Sequence, residues 1–136
     1  MTRLLPLLLS LTLFTVACKK DKMEPGPALE GRWTFSTSVD FRYDKNGKLL
    51  EEIPVPHSGF YMVVTASPAV LEYFNPADNT SWGRHALTRQ GSVLSFGGRR
   101  AVITELTAQT LSLRFEKYTT DPATKEYRDA EDRYTR

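Results

Sequence analysis

The sequence has very little cysteine and histidine. Cys18 is the single cysteine, so the chain cannot form an internal disulfide. The two histidines, His57 and His85, have no metal-ligand spacing with each other, with the cysteine or with a carboxylate. Ser58 follows His57, but adjacency in sequence is not the geometry of a catalytic dyad, and we interpret His57 as a solvated loop residue. We therefore predict no enzymatic activity, no catalytic residue, no metal and no cofactor.

The chain also lacks an excess of charge of one sign. It has 18 Lys and Arg residues against 16 Asp and Glu residues, which gives a net charge of +2. So small a charge leaves no basic surface of the kind that binds a phosphate backbone. We therefore expect no nucleic-acid partner.

The one long apolar run is too short to span a bilayer. It extends from Leu4 to Ala17, about fourteen residues, whereas a transmembrane helix needs about twenty. Arg3 precedes the run, and the small residue Ala17 ends it directly before Cys18. A basic start, a short apolar stretch and a small-residue cleavage point are typical of an export signal. We predict that residues 1–17 are a signal peptide.

With a cysteine at the cleavage point, this segment resembles the lipobox of bacterial lipoproteins, although Thr15 stands where the family prefers leucine. The resemblance implies that the sulfur of Cys18 carries a diacylglycerol and that the new amino end is acylated, as with palmitate. It also implies a lipid-anchored protein of the cell envelope, in the outer membrane, at its periplasmic face or at the cell surface. An ordinary secretory signal with an incidental cysteine is the alternative. Residues 18–28 are then a lipidated tether, whose last ten residues reach about 35 Å when extended.

From Glu30 onward the sequence alternates with a period of two. Apolar and aromatic residues fall on one parity, and Arg32, Asp40 and Arg42 fall on the other. This alternation predicts a long half-buried strand with one face inward. The inward face would carry Trp33, Phe35, Thr37, Val39, Phe41 and Tyr43. Asp44-Lys45-Asn46-Gly47 then predicts a hairpin turn, because Asn-Gly readily adopts positive φ angles.

Short strands joined by turn residues fill the rest of the chain. The predicted ranges are 48–55, 59–65, 69–74, 81–88, 92–96, 99–106, 110–118 and 126–134. Pro54 and Pro56 end the second strand or place it at an edge. We predict that residues 29–136 form an all-β domain, a small antiparallel up-and-down barrel of about eight strands. A two-sheet sandwich is the alternative.

Leu29-Glu30-Gly31-Arg32-Trp33 resembles the Gly-x-Trp opening of lipocalins. Residues 103–107 with 110–113 resemble the late hairpin of lipocalin-like lipoproteins of the Bacteroidetes type. The Thr-Asp-Tyr motif of true lipocalins is missing, because Pro122 follows Thr120-Asp121. The resemblance implies a lipocalin-like barrel in which an arginine from a late strand caps Trp33. The candidates are Arg114, Arg128 and Arg133.

Aromatic residues are numerous for so short a domain. In a small barrel they fill the interior, whereas a wider eight-stranded barrel holds one small ligand. The candidate cavity residues are Trp33, Phe35, Val39, Phe41 and Tyr43. Together with the lipobox, this predicts an anchored protein that binds a small apolar or amphipathic molecule. The alternative is a structural or interaction protein of the envelope with a solid core, acting on a protein partner that the sequence does not identify.

Overall fold

The computed structural model describes residues 27–57 and 59–136, and the ordered elements of that part of the chain are all strands. They are β1 (Gly31–Tyr43), β2 (Leu49–Val55), β3 (Tyr61–Ala66), β4 (Ala69–Phe74), β5 (Ser81–Gln90), β6 (Val93–Phe96), β7 (Arg99–Leu106), β8 (Thr110–Thr120) and β9 (Tyr127–Thr135). Within the described residues no helix is long and apolar enough to cross a membrane. The predicted signal peptide, Cys18 and most of the predicted tether lie outside the described residues.

The strands form a closed antiparallel barrel. Hydrogen bonds join β1 to β3, and each later strand pairs with the next as far as β9. β9 then pairs with β1 and closes a ring of eight strands, with β2 as a ninth strand beside β1. The predicted all-β barrel is confirmed, and the sandwich alternative is wrong because the ring has no break between two sheets.

The first hairpin forms where Asn-Gly predicted it. The Asp44 carboxylate accepts hydrogen bonds from the backbone N–H groups of Asn46 and Lys48 at 2.8 and 2.9 Å. Gly47 has φ 86°, a value that residues with a Cβ rarely adopt. The returning strand β2 lies at the end of the strand order, so Pro54 lies on an edge strand, as its missing N–H requires.

β1 changes its neighbour partway along its length, and a bulge marks the exchange. Residues 31–34 pair with β3, whereas residues 38–43 pair with β2. On the β9 side the register shifts between Phe35 and Thr37, which leaves Ser36 as an extra residue. An extra residue moves every later side chain to the opposite face. The expectation that one parity of β1 faces inward throughout is therefore wrong from Thr37 onward.

The interior around Trp33 is solid. Seven large side chains are almost fully enclosed here: Trp33, Tyr134, Met62, Leu71, Leu94, Leu111 and Leu113. Trp33 has no exposed surface, and its Nε1 donates a 2.7 Å hydrogen bond to the carbonyl oxygen of Leu29. Leu29 itself is buried, so the segment that leads into β1 packs under this end of the barrel. We call the end of the barrel that holds Trp33 and Leu29 the closed end.

An arginine does cap Trp33, but it is Arg136. Its guanidinium lies 3.9 Å from the centre of the Trp33 ring. The same group donates hydrogen bonds to the carbonyl oxygens of Ala28 and Glu30, which ties the end of β9 to the start of β1. Gly31 passes beneath it with φ 123°, and a Cβ there would lie 3.4 Å from Arg136 Nη2.

The three arginines expected to cap Trp33 have other partners. Arg114 Nε lies 3.2 Å from an Asp129 carboxylate oxygen, Arg128 lies 3.6 Å from Asp40, and Arg133 lies 2.8 Å from Glu131. Arg136 lies just after the end of β9. Alternation within a strand therefore carries no information about which way its side chain points.

Candidate ligand groove at the open end

A groove of about 360 Å³ opens at the end of the barrel opposite Trp33. The β1–β2 hairpin and the ends of β8 and β9 extend past the barrel here and form one side of the groove. We call this the open end. The groove is lined by Phe35, Ser38, Asp40, Val55, His57, Phe60, Arg99, Phe115, Tyr118, Ala130 and Asp132.

Aromatic rings supply the apolar part of the lining. Phe35 and Phe60 stack with ring centres 4.6 Å apart, and His57 meets Phe35 edge-on at 5.5 Å. Trp82 lies 5.7 Å from Phe60 and is 54% exposed. These rings offer a surface against which an apolar group of a small molecule can pack.

Asp132 supplies a carboxylate among these rings. Its two oxygens accept hydrogen bonds from the Ser38 hydroxyl at 2.8 Å and from the Tyr134 hydroxyl at 3.4 Å. Ser38 and Asp132 are cross-strand partners on β1 and β9, so the bulge in β1 is what turns the serine toward the groove. Hydroxyls hold this carboxylate in place without neutralising its charge.

Asp40 is a second carboxylate in the lining, and its charge is already matched. The hydroxyl of Tyr118 donates a hydrogen bond to Asp40 Oδ2, and Arg128 Nη1 lies 3.6 Å from the same oxygen. Burial raises the pKa of Tyr118, and the Asp40 carboxylate raises it further. Tyr118 therefore stays a neutral donor, and Asp40 is less available to a ligand than Asp132.

Two buried tyrosine hydroxyls feel both charged groups of the groove. Burial raises the pKa of Tyr73 to about 12, while the charge of Arg99 opposes this rise and that of Asp132 adds to it. Burial also raises the pKa of Tyr134 well above the usual tyrosine value, and Asp132 contributes in the same direction. The charges of Arg99 and Asp132 thus act in opposite directions on the pKa values of the same two tyrosines.

Phe35 is the one member of the five candidate cavity residues that lines this groove, as far as the described residues show. Trp33 is enclosed at the closed end. Val39, Phe41 and Tyr43 follow the bulge and lie on the opposite face of β1 from Ser38 and Asp40.

On that outer face, Arg114 lies 4.2 Å from the centre of the Phe41 ring and donates a 2.7 Å hydrogen bond to the Tyr43 hydroxyl. Tyr43 also stacks on Tyr127, with ring centres 5.1 Å apart. Phe41 and Tyr43 therefore pack on the outside of the barrel wall and do not line the groove.

A second depression, of about 510 Å³, lies farther out on the projecting strands. Its lining includes Arg42 and Arg128. Arg42 forms ion pairs with Glu51 and Glu126. Arg128 forms an ion pair with Asp40. Tyr118 lines both depressions. The outer one is larger, but it has fewer rings and its charges neutralise each other, so the inner groove is the better candidate site.

Most of the groove does not follow from the alternation in β1. Strict alternation predicts that Ser38 and Asp40 face outward, and a solvated loop position for His57 does not predict a contact with a site. His57 is indeed exposed, but it lies at the rim of the groove against Phe35. Ala130, Asp132 and Tyr134 alternate along β9 and share its inward face. The sequence alone does not reveal this face, because an aspartate in a strand is usually a surface residue.

Comparisons with protein-family models, with curated proteins and with solved structures found no match. Among the described residues, no group of three or more His, Cys, Asp and Glu side chains could hold a metal ion. The resemblance to lipocalin-like lipoproteins stays a prediction.

Proposed function

We propose that this chain is a lipid-anchored envelope protein whose lipocalin-like barrel binds a small amphipathic molecule, without catalysis, in the groove at the open end. The observation that carries the proposal is the lining itself, with rings of Phe35, Phe60 and Phe115 beside the polar groups of Ser38 and Asp132. A volume of about 360 Å³ lies within the range of roughly 300–1,000 Å³ that small-molecule sites occupy.

The amino end of the described chain lies away from the groove. The described chain begins at Pro27, beside the closed end, where Ala28 and Glu30 bind Arg136. A tether ending in a lipid at Cys18 would therefore join the barrel at the end opposite the groove and would not cover its opening.

Dye binding tests the groove. An environment-sensitive apolar dye should bind the purified full chain saturably, after subtraction of the signal from detergent alone. Ala130→Trp should abolish this binding because Ala130 lines the groove. Thr135→Trp is the matched control, since Thr135 is exposed on the same strand, and it should leave binding unchanged. Absence of saturable binding by the wild-type protein, both of the dye and of other small amphipathic probes, would reject the groove as a site.

Detergent-phase partitioning tests the anchor. Each buried CH₂ of an acyl chain contributes about 0.8 kcal/mol, so two or more chains hold a protein firmly in a membrane. Cys18→Ser should therefore move the protein to the aqueous phase or leave it uncleaved. Thr15→Leu, which restores the usual lipobox residue, should still partition with detergent. A processed Cys18→Ser protein in the detergent phase would exclude lipid attachment at Cys18.

An interaction protein is the second candidate. Large apolar side chains are exposed on the projecting hairpin and around the groove, namely Leu49, Leu50, Trp82 and Tyr118. Exposed apolar surface of this kind favours contact with another protein. If the Ala130→Trp variant and the wild-type protein bind every small probe with the same affinity, the interaction protein becomes the preferred function over the ligand carrier.

A further inference from the structure

The groove contains two opposite charges whose ion-pairing capacity is unused. Within residues 27–57 and 59–136, the ion pairs of the protein include neither Asp132 nor Arg99. Both side chains line the same groove, and their charged atoms are more than 4.0 Å apart. Because both line one groove, a ligand bound there has an acid and a base available to it.

Asp132 is held ready to accept hydrogen bonds from a cation. Ser38 and Tyr134 each donate one hydrogen bond to it, one on each carboxylate oxygen. A carboxylate has about four acceptor positions, so others remain after these two hydrogen bonds. Because both neighbours are neutral hydroxyls, an ammonium group is the partner that would match the remaining charge.

Arg99 lies over an aromatic ring. Its guanidinium lies 4.2 Å from the centre of the Phe115 ring, at the start of β7. A guanidinium that packs on a ring can still direct its in-plane N–H donors to a planar acceptor. A ligand carboxylate matches that donor pattern in both charge and geometry.

The other charged groups in the lining do not compete for the same ligand atoms. Asp40 is matched by Arg128 and by the Tyr118 hydroxyl. His57 is exposed at the rim, with its ring against Phe35. The free charge of the groove is thus one acid and one base, separated by rings.

We infer that the groove recognises a small zwitterion with an apolar side chain, of the α-amino acid class, whose ammonium group binds Asp132 and whose carboxylate binds Arg99. The apolar side chain would pack on Phe35 and Phe60. This inference rests on the proposed function, because it assumes that the groove binds a small molecule. It narrows the ligand from any amphipathic molecule to one with both charges.

Three probes of matched shape test it by calorimetric titration of the purified full chain. Phenylalanine has both charged groups, phenethylamine has only the ammonium, and 3-phenylpropanoate has only the carboxylate. Hydrogen bonds to charged groups contribute about 1.5–3 kcal/mol, and about 1.4 kcal/mol is tenfold in affinity. Phenylalanine should therefore bind at least about tenfold more tightly than either analogue.

Two variants assign the charges. Asp132→Asn should weaken phenylalanine about tenfold and leave 3-phenylpropanoate unchanged. Arg99→Gln should weaken phenylalanine about tenfold and leave phenethylamine unchanged. Arg100→Gln is the matched control, because Arg100 is the exposed next residue on the other face of β7, and it should change none of the three affinities. Thermal unfolding of each variant establishes that it is folded.

The possible failures are distinguishable. If the apolar dye binds saturably but phenylalanine binds no more tightly than its two analogues, the zwitterion is excluded and the proposed function stands. The same conclusion follows if folded Asp132→Asn and Arg99→Gln bind phenylalanine as the wild type does. If neither the dye nor any of the three probes binds, the proposed function itself is wrong and this inference falls with it.

Discussion

The two ends of the barrel use the same strands in different ways. At the closed end, Trp33 is enclosed, Leu29 packs beneath it, and Arg136 covers its ring. At the open end, the same strand β1 presents Ser38 and Asp40 to a groove that also holds Arg99 and Asp132. One interior therefore passes from a solid apolar core to a polar cleft within a few residues of β1.

The difference shows how a small barrel can combine stability with a site. Large side chains at the closed end bury apolar surface, which is the main favourable contribution to folding. Charged side chains at the open end bury little apolar surface and need partners, so they contribute less to stability. Substitutions at the closed end should therefore change the free energy of unfolding, and substitutions at the open end should change ligand binding.

Removal of the Trp33 side chain should give the largest effect. Trp33→Ala leaves a cavity in the solid core, and the free energy of unfolding should fall by about 3–5 kcal/mol. Trp82→Ala is the matched control at the open end, where the ring is 54% exposed, and it should change stability by at most about 0.5 kcal/mol. Chemical denaturation measures both. Equal effects of the two substitutions would remove the distinction between the ends.

Alkaline pH should destabilise the protein through Tyr73. Burial raises its pKa to about 12, from 10.0 in the unfolded chain. The native state thus holds the proton more tightly, so this stabilisation is complete below pH 10 and is lost as the pH rises toward 12. The shift corresponds to about 2–3 kcal/mol.

Denaturation midpoints between pH 9 and 12 would measure this loss. Tyr73→Phe has no phenol to ionise, so its stability should fall less steeply over the same interval, with the remaining slope due in part to Tyr134. Parallel curves for the two proteins would mean that the native barrel does not raise the pKa of Tyr73 and that its hydroxyl is in contact with water.

Arg136→Ala should have a smaller effect at the closed end. It removes the stacking on Trp33 and the hydrogen bonds to Ala28 and Glu30. Because the guanidinium is exposed, we expect a loss of about 1–2 kcal/mol in the free energy of unfolding. Arg136→Lys keeps the charge but not the planar group and should recover only part of this loss. Full recovery by lysine would show that charge alone matters.

Arg99→Gln should have the smallest effect on stability. Arg99 is exposed, so the free energy of unfolding should change by at most about 0.5 kcal/mol. The same substitution is expected to weaken phenylalanine binding about tenfold, as stated above. A large decrease in the free energy of unfolding would mean that Arg99 stabilises the fold and does not serve only to bind a ligand.

The strand pattern was predictable over most of the domain because it depends on local features. Ala69–Phe74 and Arg99–Leu106 match the predicted ranges, and Asp44–Gly47 turns the chain as Asn-Gly indicated. Turn residues act through their own φ angles and nearby hydrogen bonds, so their effect is readable from a few adjacent letters.

The bulge near Ser36 was not predictable from the sequence. Without the bulge, the residues of β1 after Ser36 are assigned to the wrong face, so Ser38 and Asp40 are not recognised as groove residues. The sequence alternates without interruption from Trp33 to Tyr43, but the pairing with β9 shifts by one residue. The shift occurs where β1 exchanges β3 for β2, and it is a shift against β9, which lies about ninety residues farther along the chain. Periodicity along one strand carries no information about such an exchange.

The sequence by itself determined that this chain forms short antiparallel strands with tight turns and that Trp33 is a core residue, because period-two burial and turn geometry are local properties. Only the tertiary structure decided which residues share an interior. Closure of β9 onto β1 brought Asp132 to Ser38, and a single extra residue turned Phe41 outward and Asp40 inward. The physical reason is that the face of a strand depends on its register with its neighbours, and register is set by contacts between distant residues.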